Sequence, residues 1–318
     1  IDFGRGVLEA LGSNYPLGAG ELAARGNFCT LDPEGVVTDR RADRPSDEEC
    51  QRLCTLLEAN LSVDGVQCQF LPGKQHRFTL ILQGEGLGAH LNDNDPQVEG
   101  KKTLPFEGRN PESERTAARV TEIFDQARTL LAEESQATGV LLRGFSARPD
   151  LDTFDVRYGL RAAAIAIYPM YSGVARLVGM EVLDPGKDLD AQIAVAKEHW
   201  DDYDFFFIHT KATDQAGHSG DFDAKVEALE EIDRSIPALR DLGAAVTVIT
   251  GDHSTPSVHL EHSWHSVPTL IESGLTIPVP EVTFNERGVL KGDLGTFSAQ
   301  DLLPLCLAHA GRLDKFGA

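Results

Sequence analysis

The chain has 318 residues, 29 of them Lys or Arg and 50 Asp or Glu, for a formal charge of −21 at pH 7. A surface that negative repels phosphate backbones and anionic lipid, so nucleic acid and membranes are set aside as partners, and an anionic substrate would need cations gathered locally. With 41% hydrophobic residues, no apolar run long enough to span a membrane and five cysteines in mostly apolar contexts, the chain reads as a cytoplasmic protein with reduced core thiols, one large domain carrying a substantial second one.

In chain order, residues 1–28 carry Gly4-Arg5-Gly6, an apolar helix-like patch at Val7-Leu8-Glu9-Ala10-Leu11, and Arg25-Gly26-Asn27-Phe28. An arginine beside glycine can present its guanidinium to an anion, or simply occupy a turn. Residues 28–39 are predicted to form a strand or hairpin turning at Glu34-Gly35. Ser46 caps a helix through about 61, with Glu49 at the capping-box position. Strands follow at 65–70 and 76–83 around Pro72-Gly73, then a polar segment, 84–110. A helix over 113–135 places Val120, Phe124, Ala127, Leu130 and Leu131 on one face, and 139–142 is a last strand. Strand, helix, strand, strand, helix, strand is the order of a ferredoxin-like split βαβ unit, so residues 30–150 are expected to form an inserted lid, hinged near 25–28 and 143–149.

Beyond 150, apolar strands at 162–168, 203–210 and 244–250 alternate with helices at 172–179, 190–200 and 222–242. A further segment at 267–272, an edge hairpin at 280–291 around Asn285-Glu286-Arg287-Gly288 and a helix at 299–312 complete the chain. This alternation predicts an α/β domain, mainly parallel with helices on both faces, made of residues 1–29 and 151–318.

Three polar clusters punctuate that second half. The strand ending at Thr210 runs into Lys211-Ala212-Thr213-Asp214 and His218, which places Asp214 and His218 on its exit loop. The next strand ends in Gly251-Asp252-His253, and His259, His262 and His265 follow. Five of the ten histidines fall between 218 and 265. A lone Asp or His past a strand is usually a solvated turn or a cap. Three clusters of oxygen and nitrogen donors together suit Zn, Mn or Co, at the carboxyl ends of strands where open α/β sheets place their sites.

In these motifs, together with Thr38-Asp39-Arg40-Arg41, His76-Arg77-Phe78, Asp95-Pro96, Arg143-Gly144 and Gly173-Val174-Ala175-Arg176, the sequence resembles the archaeal-type 2,3-bisphosphoglycerate-independent phosphoglycerate mutases of the alkaline phosphatase superfamily. The matching stretches run in order through nearly the whole chain. The resemblance implies an alkaline-phosphatase-like α/β fold with an inserted ferredoxin-like α+β domain. It implies interconversion of 2- and 3-phosphoglycerate in glycolysis and gluconeogenesis, through a phosphoserine intermediate at a site of two divalent ions (Mn, Zn, Co or Mg). It assigns Asp214, His218 and His262 to one ion, and Asp252 and His253 to the other together with an aspartate and a serine nucleophile nearer the N-terminus. Lys211, Arg143 and Arg161 are the groups implied to hold phosphate or carboxylate, with Arg5 and Arg25 behind them.

Two departures stand out. Where the archaeal pattern reads His-Ser-x-Asp-Pro-Val-Pro, this chain has His265 and Ser266 in place of Asp and Pro; His262 aligns as the ligand and His265 is expected behind it. The nucleophile and its aspartate are expected to precede Gly4, in a segment that these residues do not include. Two other readings use the same clusters. One is another phosphoryl transferase or phosphatase, for example a homoserine-kinase-like enzyme, differing only in the groups that orient the acceptor. The other is a catalytically inactive metal-binding protein, supported by the serine that is not in view. Nothing in the sequence sets the oligomeric state.

Overall fold

A computed structural model describes residues 4–313. They form two compact units, one of residues up to Leu183 together with Asp202–His209, the other of Asp184–Asp201 and the residues from Thr210 onward. This division is not the split into 1–29 with 151–318 and 30–150 expected from the sequence.

In the first unit, helix α1 (Arg5–Gly12) precedes β1 (Glu21–Leu31), β2 (Val37–Asp39), α2 (Asp47–Asn60), β3 (Gln67–Pro72), β4 (Arg77–Gln83), α3 (Pro111–Leu130) and β5 (Gly139–Ala147). The sheet runs β3-β4-β1-β5, antiparallel throughout, with β2 beside the last residues of β1. Apolar side chains cover both faces of β1. Leu22, Ala24 and Phe28 pack with Leu53, Leu57, Val120 and Phe124 of α2 and α3, whereas Ala23 packs with Val7, Ala10 and Leu11 of α1. A strand covered on both faces has no reason to alternate, and residues 21–27 contain little β-branched signal, so the sequence shows the strand only from 28 although it starts at Glu21.

Helix starts follow their caps. Ser46 Oγ accepts from the Glu49 amide of α2. The second long helix begins two residues ahead of expectation, because Asn110 accepts from the Ser113 amide and Pro111 occupies the first turn. Ser113 is thereby buried inside α3, where its Oγ accepts from His90 N. The polar segment before it is pinned beside β5: Asn94 Oδ1 accepts from Leu142 N at 2.7 Å, its Nδ2 donates to Val140 O, and its own amide donates to Leu142 O.

The rest of this unit holds α4 (Phe154–Tyr158), β6 (Ala162–Ala166), α5 (Pro169–Leu177), β7 (Glu181–Val182) and β8 (Phe205–His209), with a parallel sheet in the order β7-β6-β8. Parallel pairing stops there among the described residues. In the second unit, β9 (Val246–Ile249) pairs antiparallel with β10 (Leu270–Ser273). That pair stands with α6 (Leu189–Glu198), α7 (Ala212–Ser219), α8 (Phe222–Arg240) and α9 (Leu302–His309). The hairpin expected at 280–291 is instead an Asn285 turn, its Oδ1 accepting from Arg287 N and Gly288 N, followed by one 3-10 turn at Val289–Lys291. The turn signal was real, but the flanks lack the alternation a ladder needs. Among the described residues no helix is long and apolar enough to cross a membrane, and the five cysteines are separate thiols.

Candidate metal centre

Asp214 and His218, expected on a loop, lie on α7, four residues apart and so on one face of the helix. Lys211 stands at the position before its first turn without a side-chain capping bond, and Gly220, in the left-handed region at φ 76°, ends the helix. The helix approaches the segment after β9 so closely that a Cβ on Gly217 would lie 2.3 Å from the Thr255 carbonyl oxygen. That segment folds back on itself where Ser263 N donates to Ser254 O, which brings His262 beside His253, ring centroids 3.7 Å apart.

Asp214, His218 and His262 each present one ligand atom within 4.8 Å of the others. Donors about 2.1 Å from a shared tetrahedral ion stand about 3.4 Å apart. Here the Nε2 atoms of His218 and His262 are 3.1 Å apart, and Asp214 Oδ1 lies 3.4 Å from His262 Nε2 and 3.6 Å from His218 Nε2. Tautomer supports the fit as well. His218 Nδ1 lies 2.8 Å from the Leu260 carbonyl oxygen, which can only accept, so Nδ1 carries the proton and Nε2 turns a lone pair toward Asp214 and His262. Leu260 itself sits at φ 59°, a conformation that costs a bulky residue about 1 kcal/mol or more and that aims this carbonyl at the ring. These residues fit a divalent ion.

The second pair is adjacent. His253 Nε2 lies 3.3 Å from Asp252 Oδ2 and 3.9 Å from Asp214 Oδ1. Lys211 Nζ meets Asp214 Oδ2 at 2.5 Å, and Thr255 Oγ1 donates to Asp214 Oδ1 at 2.7 Å. Burial alone would raise the Asp214 carboxyl, but the bonds from Lys211 and Thr255 outweigh it and hold the group at about 2. Asp214 is therefore ionised and ready as a ligand. His265 turns aside, its Nδ1 2.8 Å from Ser263 Oγ and its ring stacked on Trp264. Nothing in the sequence singles out Thr255 or the Leu260 carbonyl, since one hydroxyl or one carbonyl in a loop carries no pattern.

Arg143 and Arg161 belong to the first unit. Arg143, on β5, lies opposite Arg25 of β1 in the sheet register, and its Nε is 3.4 Å from the wholly buried Asp95, which Arg40 also grips at 2.6 and 3.1 Å. Arg25 pairs with Glu9 at 3.2 Å. Burial first, then neighbouring arginines, lower both Arg25 and Arg143, and Arg5 and Arg77 add to this positive field. Three polar atoms in the same region, Arg25 Nε, Asn27 Oδ1 and His76 Nδ1, are buried with no hydrogen-bond partner. The sequence singles out Arg5, Arg25 and Arg143 as anion-holding candidates here; Arg40, Asn27 and His76 stand in it only within quoted stretches without a role, and strand register and the β2–α2 loop bring them in from separate segments. Arg161 stands elsewhere, 61% exposed at the amino end of β6, its amide and Nε both on Asp204 Oδ2.

Residues 2–136 match the family described as 2,3-bisphosphoglycerate-independent phosphoglycerate mutase. A Thermotoga neapolitana protein described as a probable 2,3-bisphosphoglycerate-independent phosphoglycerate mutase is 46% identical over 316 residues, covering 99% of this chain and 79% of its own length. Among solved structures, the PH0037 protein of Pyrococcus horikoshii superposes with a TM-score of 0.82 at 27% identity, over 99% of this chain and 80% of that one. The cofactor-independent phosphoglycerate mutase of Thermoplasma acidophilum superposes with a TM-score of 0.71 at 25% identity, over 97% and 82% of the two chains.

Proposed function

This chain belongs to the 2,3-bisphosphoglycerate-independent phosphoglycerate mutase family, and from that premise we propose that it interconverts 2- and 3-phosphoglycerate in the cytoplasm, through a serine ester at a site of two divalent ions. The observation that carries the reading is the Asp214, His218 and His262 trio, with donor spacings suited to one ion and a histidine tautomer already set to ligate. Asp252 and His253 are proposed for the second ion. Bound there, divalent ions would neutralise the phosphoryl oxygens and acidify an attacking hydroxyl.

The protein's own groups supply the rest. Lys211 holds Asp214 ionised and presents an ammonium to a phosphate oxygen. Arg25 and Arg143, with unsatisfied polar atoms around them, offer a place for a carboxylate or phosphate that a net charge of −21 would otherwise repel. Arg161, at the end of β6 away from the strand exits, is read as the partner of Asp204 rather than of substrate. No residue of this chain is assigned as the nucleophile. The order β5-β1-β4-β3, antiparallel throughout, supports reading residues 30–150 as a ferredoxin-like lid whose first strand takes in 21–29 as well, inserted in an alkaline-phosphatase-like domain of the residues before Glu21 and of 151–318.

The test is turnover of 3-phosphoglycerate, read by coupling to enolase, with manganese and after its removal by chelator. Metal-dependent turnover is expected. Hydrolysis of p-nitrophenyl phosphate without any mutase turnover would replace this reading with a phosphatase.

A further inference from the structure

We propose that Thr255 is a positioning residue for the metal centre: its hydroxyl dictates which nitrogen of His253 carries the proton. The inference rests on the metal reading above and deepens it, because the choice it describes is made before any ion arrives.

Thr255 is 4% exposed, and its Oγ1 lies 2.7 Å from Asp214 Oδ1 and 3.1 Å from His253 Nδ1. An ionised carboxylate only accepts, so the single hydroxyl proton goes to Asp214. The contact with His253 can then exist in one direction alone, with Nδ1–H donating to the threonine oxygen. A neutral imidazole protonated at Nδ1 keeps a lone pair on Nε2, the atom that faces Asp252 Oδ2 at 3.3 Å and Asp214 Oδ1 at 3.9 Å.

Those same carboxylates pull the other way. Without an acceptor at Nδ1, the lower-energy arrangement would place the proton on Nε2, donating to Asp252, and would remove the lone pair that a metal needs. Thr255 opposes this, and its hydroxyl joins a residue of the first ligand trio to a residue of the second pair. The threonine is itself held from behind: Lys225 Nζ donates to its carbonyl, and α7 packs against that carbonyl through Gly217.

The experiment uses the full chain labelled with 15N-histidine and freed of metal, at a pH where the imidazoles are neutral. Long-range 1H–15N spectra report the tautomer of His253, assigned by its absence in His253→Gln. Wild type and Thr255→Ser are expected to show Nδ1–H, and the isosteric Thr255→Val to show Nε2–H. Cobalt titration should then find Thr255→Val weaker by about 10- to 100-fold, with Thr255→Ser within a few-fold of wild type. Nδ1–H retained in Thr255→Val would overturn the proposal, as would a Thr255→Ser as impaired as the valine variant, since the hydroxyl would then not be the cause. Wild type that takes up no cobalt would sink the metal reading, while the metal-free spectra still decide the role of Thr255.

Discussion

His76 is buried near Arg25, Arg41, Arg44 and Arg77, and burial first, then those charges with Arg77 foremost, push its imidazole down to about 4. In the unfolded chain the same ring takes a proton near 6.5. As pH falls from about 6.5 to about 4, the unfolded state gains a proton that the folded state refuses. Stability is therefore fully present above that window and declines through it, by at most roughly 3 kcal/mol. Urea titrations across the window should show this loss in the wild type and a flatter profile in His76→Gln. In the sequence His76 stands only within a stretch that carries the family resemblance and has no role of its own, because its meaning comes from arginines in distant segments. Asp214, His218, Asp252, His253 and His262 were legible for the opposite reason, since half the histidines crowd into one stretch.

At the scale of elements, helices announced themselves through caps and periodicity, as Ser46 and the apolar face of α3 show. Short elements did not. Helix α7 is eight residues of mixed polarity with a glycine inside, and it reads as a loop until its contacts are seen. Gly217 makes the point testable. Alanine is the better helix former by about 1 kcal/mol, yet a methyl there would meet the Thr255 carbonyl at 2.3 Å. Gly217→Ala is expected to push α7 away from the 251–256 segment and weaken divalent-metal binding at least about 10-fold by calorimetry, because misplaced ligand support costs about that much. A gain in thermal stability with unchanged affinity would contradict the packing described. Residues 42–44 show another limit of pattern reading. Ala42, Asp43 and Arg44 all adopt positive φ, held by Asp39 carboxylate oxygens that accept from Arg41 N and Asp43 N, and none of the three is glycine.

For the whole molecule, the sequence conveyed an α/β chain with an antiparallel portion, but not how the later strands pair. Pairing of β9 with β10 depends on where the 251–268 loop doubles back, and strand composition does not encode that. The proposed ligands other than the arginines all lie in one compact unit. Metal should therefore stabilise unevenly, since an ion that binds only the folded form raises its stability by about 2.7 kcal/mol at a hundredfold excess over Kd. Hydrogen exchange with and without manganese is expected to slow in α7 and in 251–265 and to stay unchanged in β1, β4 and β5. Uniform protection of both units would contradict this.

The asparagine beside β5 has a consequence for how copies of the protein behave together. By matching the Leu142 amide, the Leu142 carbonyl and the Val140 carbonyl, Asn94 impersonates a neighbouring strand with a single residue. Along Val140–Leu142 the β5 edge of the sheet thus has its amide and carbonyl groups already matched, which blunts it as a template for another chain. Asn94→Ala would leave that border bare, and light scattering of concentrated, warmed samples is expected to show aggregates in the variant well before the wild type. On this view the residue guards colloidal behaviour in a crowded cell, a duty separate from catalysis and invisible to any turnover assay.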